Sequence, residues 1–298
     1  MEKKAIYHLP GLFEFYELYK CFLPLFYEHR EYFYDWCDIG SVYGAPEGCI
    51  WGGGRVGVGD EDPSDVLALL EKYDISARPT FSNSLFRQEH LSDKKCNALC
   101  DLFEKGKVQN GVIVYSELLI DHLRANYSGL YLVSSTTKVM TDFSEFLAEL
   151  NREDFKYVVP DFRLNKKLSE LNALSQDQKD KVEFLCNECC WFGCYDRKNC
   201  YENVSRKCLG EPCEDHVCVS PEAKKGYRFS EAMKNPGFIG TDDILDTYLP
   251  AGFSNFKIEG RGLGSAVVLE FLLYYLTKPE YRLKVREEIY LDPMLDLF

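Results

Sequence analysis

Short apolar segments alternate with helical patterns along almost the whole of this chain. Eight of these segments have the length and composition of buried strands, from 5–9 near the start to 255–260 near the end. Short apolar strands that are buried on both faces are typical of a parallel sheet. Eight strand–helix units in 298 residues fit a closed barrel better than an open sheet. The sequence therefore predicts an α/β fold, a (β/α)8 TIM-like barrel, with a doubly wound sheet as the alternative.

We expect residues 1–298 to form a single barrel domain. Hydrophobic residues make up 46% of the chain and aromatic residues 14%, which is enough for a sizeable buried core. The segment 186–235 follows the seventh predicted strand, and eight of the 13 cysteines lie between residues 186 and 218. We therefore interpret this segment as a cysteine-rich, metal-binding insertion in the barrel.

Several helical patterns carry signals for their boundaries. Asp62 followed by Pro63 has the pattern of an N-cap and a first-turn proline, which predicts that a helix begins there. Pro24 predicts a bend in the first helix. The stretches 164–181 and 265–285 each have the periodicity of one continuous helix.

The composition excludes some classes of partner. The formal net charge is −13 and the pI is about 5.0, so the surface repels polyanions, which disfavours broad binding to nucleic-acid phosphates. The first residues lack the apolar core of a secretory signal. The longest apolar run, 266–276, contains Glu270 and is too short to cross a bilayer. We therefore expect a soluble, cytoplasmic protein without a membrane partner.

Thiols as dense as those between 186 and 218 are metal ligands, redox-active groups or disulfides. In a reducing cytosol the first two are more common. The spacing Cys-x2-Cys-Cys-x3-Cys-x5-Cys differs from paired zinc-ribbon motifs and from the bacterial ferredoxin run. An irregular loop could bring four thiolates together from different directions, as a [4Fe–4S] cluster requires. We place such a cluster first, structural zinc second, and unliganded or disulfide-bonded cysteines third.

Polar residues that directly follow the predicted strands are candidates for one binding pocket. In (β/α)8 barrels the chemistry lies at the carboxyl ends of the strands, so these side chains should meet there. The candidate substrate-binding residues are Asn83, Ser135, Thr136, Asn165, Asn187 and Glu188. The alternative interpretation is that these side chains only cap the helices that follow.

Lys257, Glu259 and Arg261 alternate along the eighth predicted strand and therefore share one face. Three charges that point into a barrel are costly unless they pair or bind a ligand. We assign them as candidate catalytic residues, in which Lys257 and Arg261 hold an anion and Glu259 orients them or acts as a base. A structural salt-bridge layer is the alternative, and the sequence favours neither.

The glycine-rich segment 52–57 formally matches G-x-G-x-x-G, but the next helix signal lies at Pro63 and not at the third glycine. The segment therefore fails the context of a dinucleotide site. We expect a flexible loop near the mouth of the barrel, which could offer Arg55 to an anion.

Two short motifs resemble a known superfamily. The segment NECCWFGCYDR, which begins at Asn187, resembles an Asn-Glu-x-Cys-x3-Cys-x-x-Arg element of barrel proteins related to peptidase family U32. The segment NFKIEGR, 255–261, is similar to the Lys-Ile-Glu-Gly-Arg signature of the same superfamily. ARPTFSN and LVSSTTK also fit its pattern, so the likeness extends over most of the chain.

The resemblance implies a (β/α)8 barrel and, in several relatives, a [4Fe–4S] cluster held by four cysteines. Those relatives hydroxylate tRNA, ribosomal RNA or ubiquinone precursors without O2, and the group is also known as collagenase-like proteases. Cys190 and Cys194 match the closest cysteine pair of the motif, and Cys218 would be a later ligand. The fourth ligand would be Cys186, Cys200 or Cys37.

Three hypotheses follow. The first is an iron–sulfur enzyme that carries out a hydroxylase-type oxidation of a small or RNA-borne aromatic ring, with an electron-transfer partner. The second is a barrel with structural zinc that acts as a binding or assembly protein. The third is a peptidase, although the sequence has neither His-Glu-x-x-His nor Gly-x-Ser-x-Gly, and a Cys37–His8 pair is its remaining candidate.

Overall fold

The computed structural model describes residues 3–54, 59–226 and 228–294, with side chains up to residue 290. Arg55, for which we predicted a role in anion binding, lies outside the described residues.

Eight parallel strands form the centre of the molecule. They are β1 (Ala5–Pro10), β2 (Cys37–Gly44), β3 (Ser76–Phe81), β4 (Gly111–Val114), β5 (Tyr131–Ser134), β6 (Phe155–Val158), β7 (Glu183–Leu185) and β8 (Asn255–Lys257). Their order in the sheet is β6-β5-β4-β3-β2-β1-β8-β7. Val158 forms a parallel bridge with Val182, which brings the two edge strands together. The predicted (β/α)8 barrel is confirmed, and every predicted strand is found.

Helices cover the outside of the sheet. They are α1 (Tyr16–Glu28), α2 (Pro63–Glu71), α3 (Lys94–Glu104), α4 (Glu117–Asn126), α5 (Phe143–Leu150), α6 (Leu168–Asn172), α7 (Gln176–Lys181), α8 (Arg197–Cys208), α9 (Phe229–Ala232), α10 (Thr241–Asp243), α11 (Ser265–Leu276) and α12 (Arg282–Met294). The predicted start of α2 is confirmed, because the Asp62 side chain accepts a hydrogen bond from Ser64 N and Pro63 is the first helical residue.

Two stretches that we predicted as single helices are each divided into two. Between α6 and α7, Ser175 and Gln178 form a reciprocal capping box that begins a new helix. Between α11 and α12, Thr277 takes an extended conformation and Pro279 follows, so the chain turns before the last helix. In both places a local capping or proline signal ends the helix although the apolar periodicity continues.

The strands separate two environments. Phe184 on β7 and Cys186 directly after it pack into the large apolar core between the barrel and its helices. Leu185 instead belongs to a small apolar cluster with Tyr43, Ile113, Val133 and Val159. These five come from different strands or strand ends, so they meet inside the barrel.

The insertion contains a regular helix and not only the irregular loop that we expected. The buried face of α8 carries Arg197, Tyr201 and Ser205. Ser205 O accepts a hydrogen bond from Asn83 Nδ2 at 3.1 Å, and Ser205 Oγ accepts one from Ser84 N at 3.0 Å. These contacts fix α8 to the carboxyl end of β3.

Within the described part of the chain, no helix is both long enough and apolar enough to cross a membrane.

Candidate functional site

A charged layer fills the barrel below the mouth. Glu183, on β7, has no exposed surface, and its carboxylate lies 2.6 Å from Arg78 Nη1 and 3.2 Å from Lys257 Nζ. His8 Nε2 lies 3.6 Å from the same carboxylate, and its Nδ1 lies 2.8 Å from Ser41 Oγ. Lys257 Nζ also lies 3.6 Å from the centre of the Tyr43 ring. Lys257 therefore belongs to a buried ion-pair layer as well as to the floor of the mouth.

Burial and charge set the ionisation of this layer. Burial lowers the pKa of His8 to about 3, and Arg78 adds to this effect, so the imidazole is neutral at pH 7. Burial also lowers the pKa of Lys257 to about 8, although Glu183 opposes the change. Burial alone would raise the pKa of Glu183, but the positive charges nearby hold it well below its usual range. At neutral pH the charge that balances Glu183 therefore comes from Arg78 and Lys257.

The mouth of the barrel is a pocket of about 520 Å3, part of it open to solvent. The lining residues that matter below are Tyr43, Gly54, Thr80, Ser82, Ser135, Thr136, Thr137, Glu188, Tyr201, Lys257, Glu259 and Arg261. Gly54 has a φ of +72°, and a Cβ there would lie 3.2 Å from Thr137 and 3.7 Å from Arg261 Nη2. The loop after β2 therefore reaches across the pocket, and only glycine fits there without strain.

The ends of β7 and β8 are joined over the pocket by Asn187. Its Oδ1 accepts a hydrogen bond from Glu259 N at 2.7 Å, and its Nδ2 donates to Glu259 O at 3.1 Å. Cys189 N donates to Glu259 Oε2 at 3.3 Å, and Cys189 Sγ lies 3.5 Å from Glu259 Oε1. Asn187 is thus a positioning residue that holds the thiol of Cys189 beside the carboxylate of Glu259.

A second ion-pair network anchors the insertion to the barrel. Arg197 is buried, and its guanidinium contacts Glu188 and lies 2.7 Å from Asp161 Oδ2. Arg163 also binds Asp161 and donates to Cys194 O at 2.7 Å. The carboxylate of Glu188 is therefore held at the mouth by a residue of α8.

Three side chains at the mouth lie close enough together to hold one metal ion. Glu188, Cys189 and Glu259 each offer one ligand atom, and these atoms lie within 4.8 Å of one another. One thiolate with two carboxylates suits a divalent cation such as zinc or iron(II). Among the residues that the structure describes, no second group of three or more potential ligands has its ligand atoms this close together.

The five cysteines that we proposed as metal ligands occupy different environments. Cys186 points into the apolar core outside the barrel, and burial raises the pKa of its thiol. Cys190 and Cys194 lie in the loop after β7, whereas Cys200 is on α8 and Cys218 is exposed. Cys37, the further candidate, is buried at the start of β2 and therefore at the opposite end of that strand from the mouth.

A [4Fe–4S] cluster needs four thiolates that converge on one site. In the described residues the mouth offers Cys189 with two carboxylates, and the proposed cysteines do not join it within ligating distance. This donor set does not fit a four-sulfur cluster and does fit a single cation. The choice of Cys186, Cys190, Cys194, Cys200 and Cys218 as ligands stays a prediction.

The neutral candidates separate into two groups. Ser135 and Thr136 line the pocket, together with Glu188. Asn83 instead donates to Ile50 O at 3.0 Å, and Asn165 donates to Leu185 O at 2.8 Å and to Gly237 O at 2.8 Å. The structure therefore gives Asn83 and Asn165 backbone partners in other segments of the chain, which is neither a place in the pocket lining nor the helix capping of our alternative interpretation.

Some pocket residues were not among our candidates. Thr80 lies two residues after Arg78 on β3, so period-two alternation already places both on the inner face. Ser82 directly follows the same strand, and the strand-end rule predicts its place at the mouth. Cys189 directly follows Asn187 and Glu188, but the spacing of the cysteines drew attention to Cys190 and Cys194 instead.

Comparison with known proteins supports the fold. No family model and no curated protein match this sequence. The structure of the U32 peptidase Mk0906 matches 87% of this chain and 93% of its own chain, with a TM-score of 0.51. This chain has a U32-like fold. Sequence identity is 13%, so the likeness concerns the path of the chain, and the chemistry of the U32-like barrel has to be argued from its own residues.

Proposed function

We propose that this U32-like barrel is an enzyme that binds a small anionic compound at its mouth. One observation carries the proposal. Three buried polar atoms of pocket-lining residues, Arg261 Nη1, Thr80 Oγ1 and Ser82 Oγ, have no hydrogen-bond partner among the described residues. Leaving a buried donor unpaired is costly, so a ligand with acceptor oxygens is the natural partner. A carboxylate or phosphate group supplies such oxygens, and arginine binds both well.

The proposed reacting groups lie beside this anion site. We propose that Glu188, Cys189 and Glu259 hold one divalent cation, which would offset the negative charge of the two carboxylates next to an anionic ligand. Such a cation would supply Lewis acidity to the bound compound. Arg261 would orient the anion, and Asn187 would hold Glu259 and Cys189 in position.

Within this proposal, the resemblance to the U32 superfamily favours a hydroxylase-type oxidation. A [4Fe–4S] cluster at this mouth would require three more thiolates beside Cys189, and the loop after β7 offers two of them, Cys190 and Cys194. A small substrate suits a pocket of about 520 Å3 and the net charge of −13 better than an RNA-borne ring does. Metal content therefore decides between a redox enzyme and the zinc-binding alternative.

The metal is tested by anaerobic purification followed by measurement of iron, acid-labile sulfide and zinc per chain. We expect one metal ion per chain in the parent and its loss in Cys189→Ala, with retention in Cys213→Ala, which changes a cysteine of the insertion outside the proposed ligand set. Iron with sulfide supports the cluster, and iron or zinc without sulfide supports a single cation. Parent protein without bound metal after purification and metal reconstitution contradicts the metal proposal.

The anion site is tested by calorimetric titration of the metal-free parent with inorganic phosphate and with benzoate. We expect Arg261→Met to weaken binding at least about tenfold, because it removes a charge-assisted pair. Arg206→Met, which removes a half-exposed arginine of α8, is the matched control and should bind as the parent does. Equal affinity in the parent and Arg261→Met contradicts the proposed site.

A peptidase is the second candidate, and one contact favours it. Cys189 Sγ lies 3.5 Å from Glu259 Oε1, so a thiol nucleophile has a carboxylate beside it, and the matched barrel is named a peptidase. Cleavage of a peptide library by the parent, abolished in Cys189→Ser, would support this candidate. If the metal-free and metal-loaded parent both leave the library intact, the peptidase candidate fails.

A further inference from the structure

Four cysteines outside the proposed ligand set converge from three separate elements. Cys49 lies in the loop after β2, Cys96 and Cys100 lie one turn apart on α3, and Cys208 ends α8. Cys49 Sγ is 3.5 Å from Cys96 Sγ, and both residues are buried. A Cβ added at Gly52 would lie 3.7 Å from Cys208 Sγ, so the Cys208 thiol faces the loop that carries Cys49.

This group is a poor metal site. A metal ion needs three or four ligand atoms at close range, and among the described residues these four sulfurs do not form such a group within 4.8 Å. One pair of sulfurs, Cys49 and Cys96, is in van der Waals contact. Pairwise chemistry between two thiols is therefore the simplest use of this arrangement.

We propose that Cys49 and Cys96 form a reversible disulfide that ties the loop after β2 to helix α3. The sulfurs need to approach by only about 1.5 Å to reach the length of a disulfide bond. Because the two residues are 47 positions apart, the bond joins segments that the sequence keeps separate. The site is distinct from the metal group at the mouth and does not depend on the proposed function.

The surroundings of Cys49 make it the attacking thiol. The two thiols share one hydrogen bond in which either sulfur can be the donor, and with Cys96 as the donor it lowers the pKa of Cys49, although burial opposes the change. The Trp51 N–H lowers the pKa of both thiols, whereas the Gly52 N–H lowers the pKa of Cys49 alone. The same hydrogen bond and burial raise the pKa of Cys96, which therefore keeps its proton. The thiolate is the nucleophile in thiol oxidation, so Cys49 reacts first.

The reaction balances with hydrogen peroxide as the oxidant. The Cys49 thiolate attacks one peroxide oxygen and breaks the O–O bond, which yields a sulfenic acid at Cys49 and, after protonation, one water. Cys96 then attacks the Cys49 sulfur, the S–S bond forms, and the sulfenic oxygen leaves as a second water. Two thiols lose two electrons in total, and peroxide gains them. Because both sulfurs are buried, a small oxidant such as peroxide reaches them more readily than a peptide disulfide does.

The bond would act on the pocket through the loop that carries Cys49. Gly54, five residues further on, lies on the pocket wall, and Trp51 O accepts a hydrogen bond from Asn83 N at the end of β3. Fixing Cys49 to α3 therefore restrains the described part of this loop, 45–54, at one end. Oxidation would make this side of the mouth more rigid, and reduction would release it.

The test uses the full-length parent, treated with hydrogen peroxide under native conditions, blocked with an alkylating reagent and digested without reductant. We expect one linked peptide pair that joins Cys49 to Cys96 and disappears with dithiothreitol. Cys100→Ala, which changes the neighbouring buried cysteine of α3, should still form the pair, and Cys96→Ala should not. Oxidised glutathione at the same concentration should form the pair more slowly.

Hydrogen exchange gives a readout that does not depend on any variant. In the parent, exchange of backbone amides in 45–54 should slow about tenfold or more on oxidation and recover on reduction. Linkage of Cys49 to Cys208, linkage only in denaturant, or alkylation of both thiols after peroxide treatment would overturn the proposal. A linked pair without slower exchange in 45–54 would overturn the restraint on the loop.

Discussion

Glu183 is the residue on which the interior of the barrel depends. It is the negative partner of two buried cations, Arg78 and Lys257, and it is itself fully buried. A buried ion pair adds little to folding stability compared with well-packed apolar residues. Removal of one member, however, leaves the remaining buried charges without a counter-charge. The stability of this layer is therefore most sensitive to substitution of Glu183, the carboxylate that Arg78 and Lys257 share.

We predict that Glu183→Gln lowers the free energy of unfolding by about 3–5 kcal/mol, because two buried cations lose their counter-charge. Urea unfolding followed by circular dichroism measures this change. Glu17→Gln, which removes one partner of the exposed Glu17–Lys20 pair, is the control and should leave the midpoint unchanged. A Glu183→Gln midpoint equal to that of the parent would show that the layer is not an ion-pair layer.

Lys257 makes the stability of the protein depend on pH. Its pKa falls from 10.5 to about 8 on folding, so below pH 8 both the folded and the unfolded chain bind the proton. Between pH 8 and 10.5 only the unfolded chain keeps it, and the unfolding free energy therefore rises with pH in this window. The ammonium group of Lys257 lies near Arg78, Glu183, His8 and Arg261. Arg78, Glu183 and His8 keep the same charge between pH 8 and 10.5.

We predict that the Lys257 contribution to unfolding free energy rises by on the order of 3 kcal/mol between pH 7.5 and 10.5. The measurement is urea unfolding of the parent and of Lys257→Met across that range, and the difference between the two slopes is the result. The variant should lack the rise, because methionine does not titrate. Parallel slopes in the two proteins would contradict a lowered pKa for Lys257.

At the scale of elements, the loop after β2 is set by one close approach. A Cβ at Gly53 would lie 2.4 Å from Ser82 O and 2.7 Å from Asn83 N, which are backbone atoms that have little room to move. This contact places Gly54 and Ser82 on the same wall of the pocket. The loop and the end of β3 are therefore one structural unit.

We predict that Gly53→Ala displaces this loop, lowers the unfolding free energy by about 1–3 kcal/mol and weakens phosphate binding. Calorimetric titration and urea unfolding measure the two effects. Gly262→Ala is the matched control, because a Cβ there meets nothing within 4 Å. Full phosphate affinity in Gly53→Ala would mean that the loop does not shape the anion site.

The elements also show what local sequence signals can do. The start of α2 was predicted from Asp62 and Pro63 alone, because a cap and a first-turn proline act within one helical turn. The breaks after α6 and α11 were missed, since apolar periodicity continued through Ser175 and Pro279. Where periodicity and capping disagree, the capping residue decided the boundary.

At the scale of the whole molecule, the insertion is attached to the barrel by charge. Arg197 on α8 joins Asp161 after β6 to Glu188 after β7, and all three are buried. The segment 209–226, by contrast, is largely exposed. Loss of the arginine would leave two buried carboxylates without their shared cation.

We predict that limited proteolysis cleaves Arg197→Met between residues 209 and 226 at least about tenfold faster than it cleaves the parent. Mass spectrometry of the fragments locates the cuts. Arg206→Met, on the same helix but half-exposed, should be cut at the parental rate. Equal cutting rates in Arg197→Met and the parent would show that this network does not hold the insertion in place.

The sequence by itself determined the strands, their order along the chain and the parallel barrel, because strand periodicity and helix caps are encoded within about one turn or one strand. The tertiary structure decided which polar side chains meet. It turned Asn83 and Asn165 to backbone partners, placed Lys257 in the buried layer, and brought Cys189 to Glu259 and Cys49 to Cys96. Distances between residues far apart in sequence depend on how the barrel closes and how its loops fold over the mouth, and no local pattern specifies them.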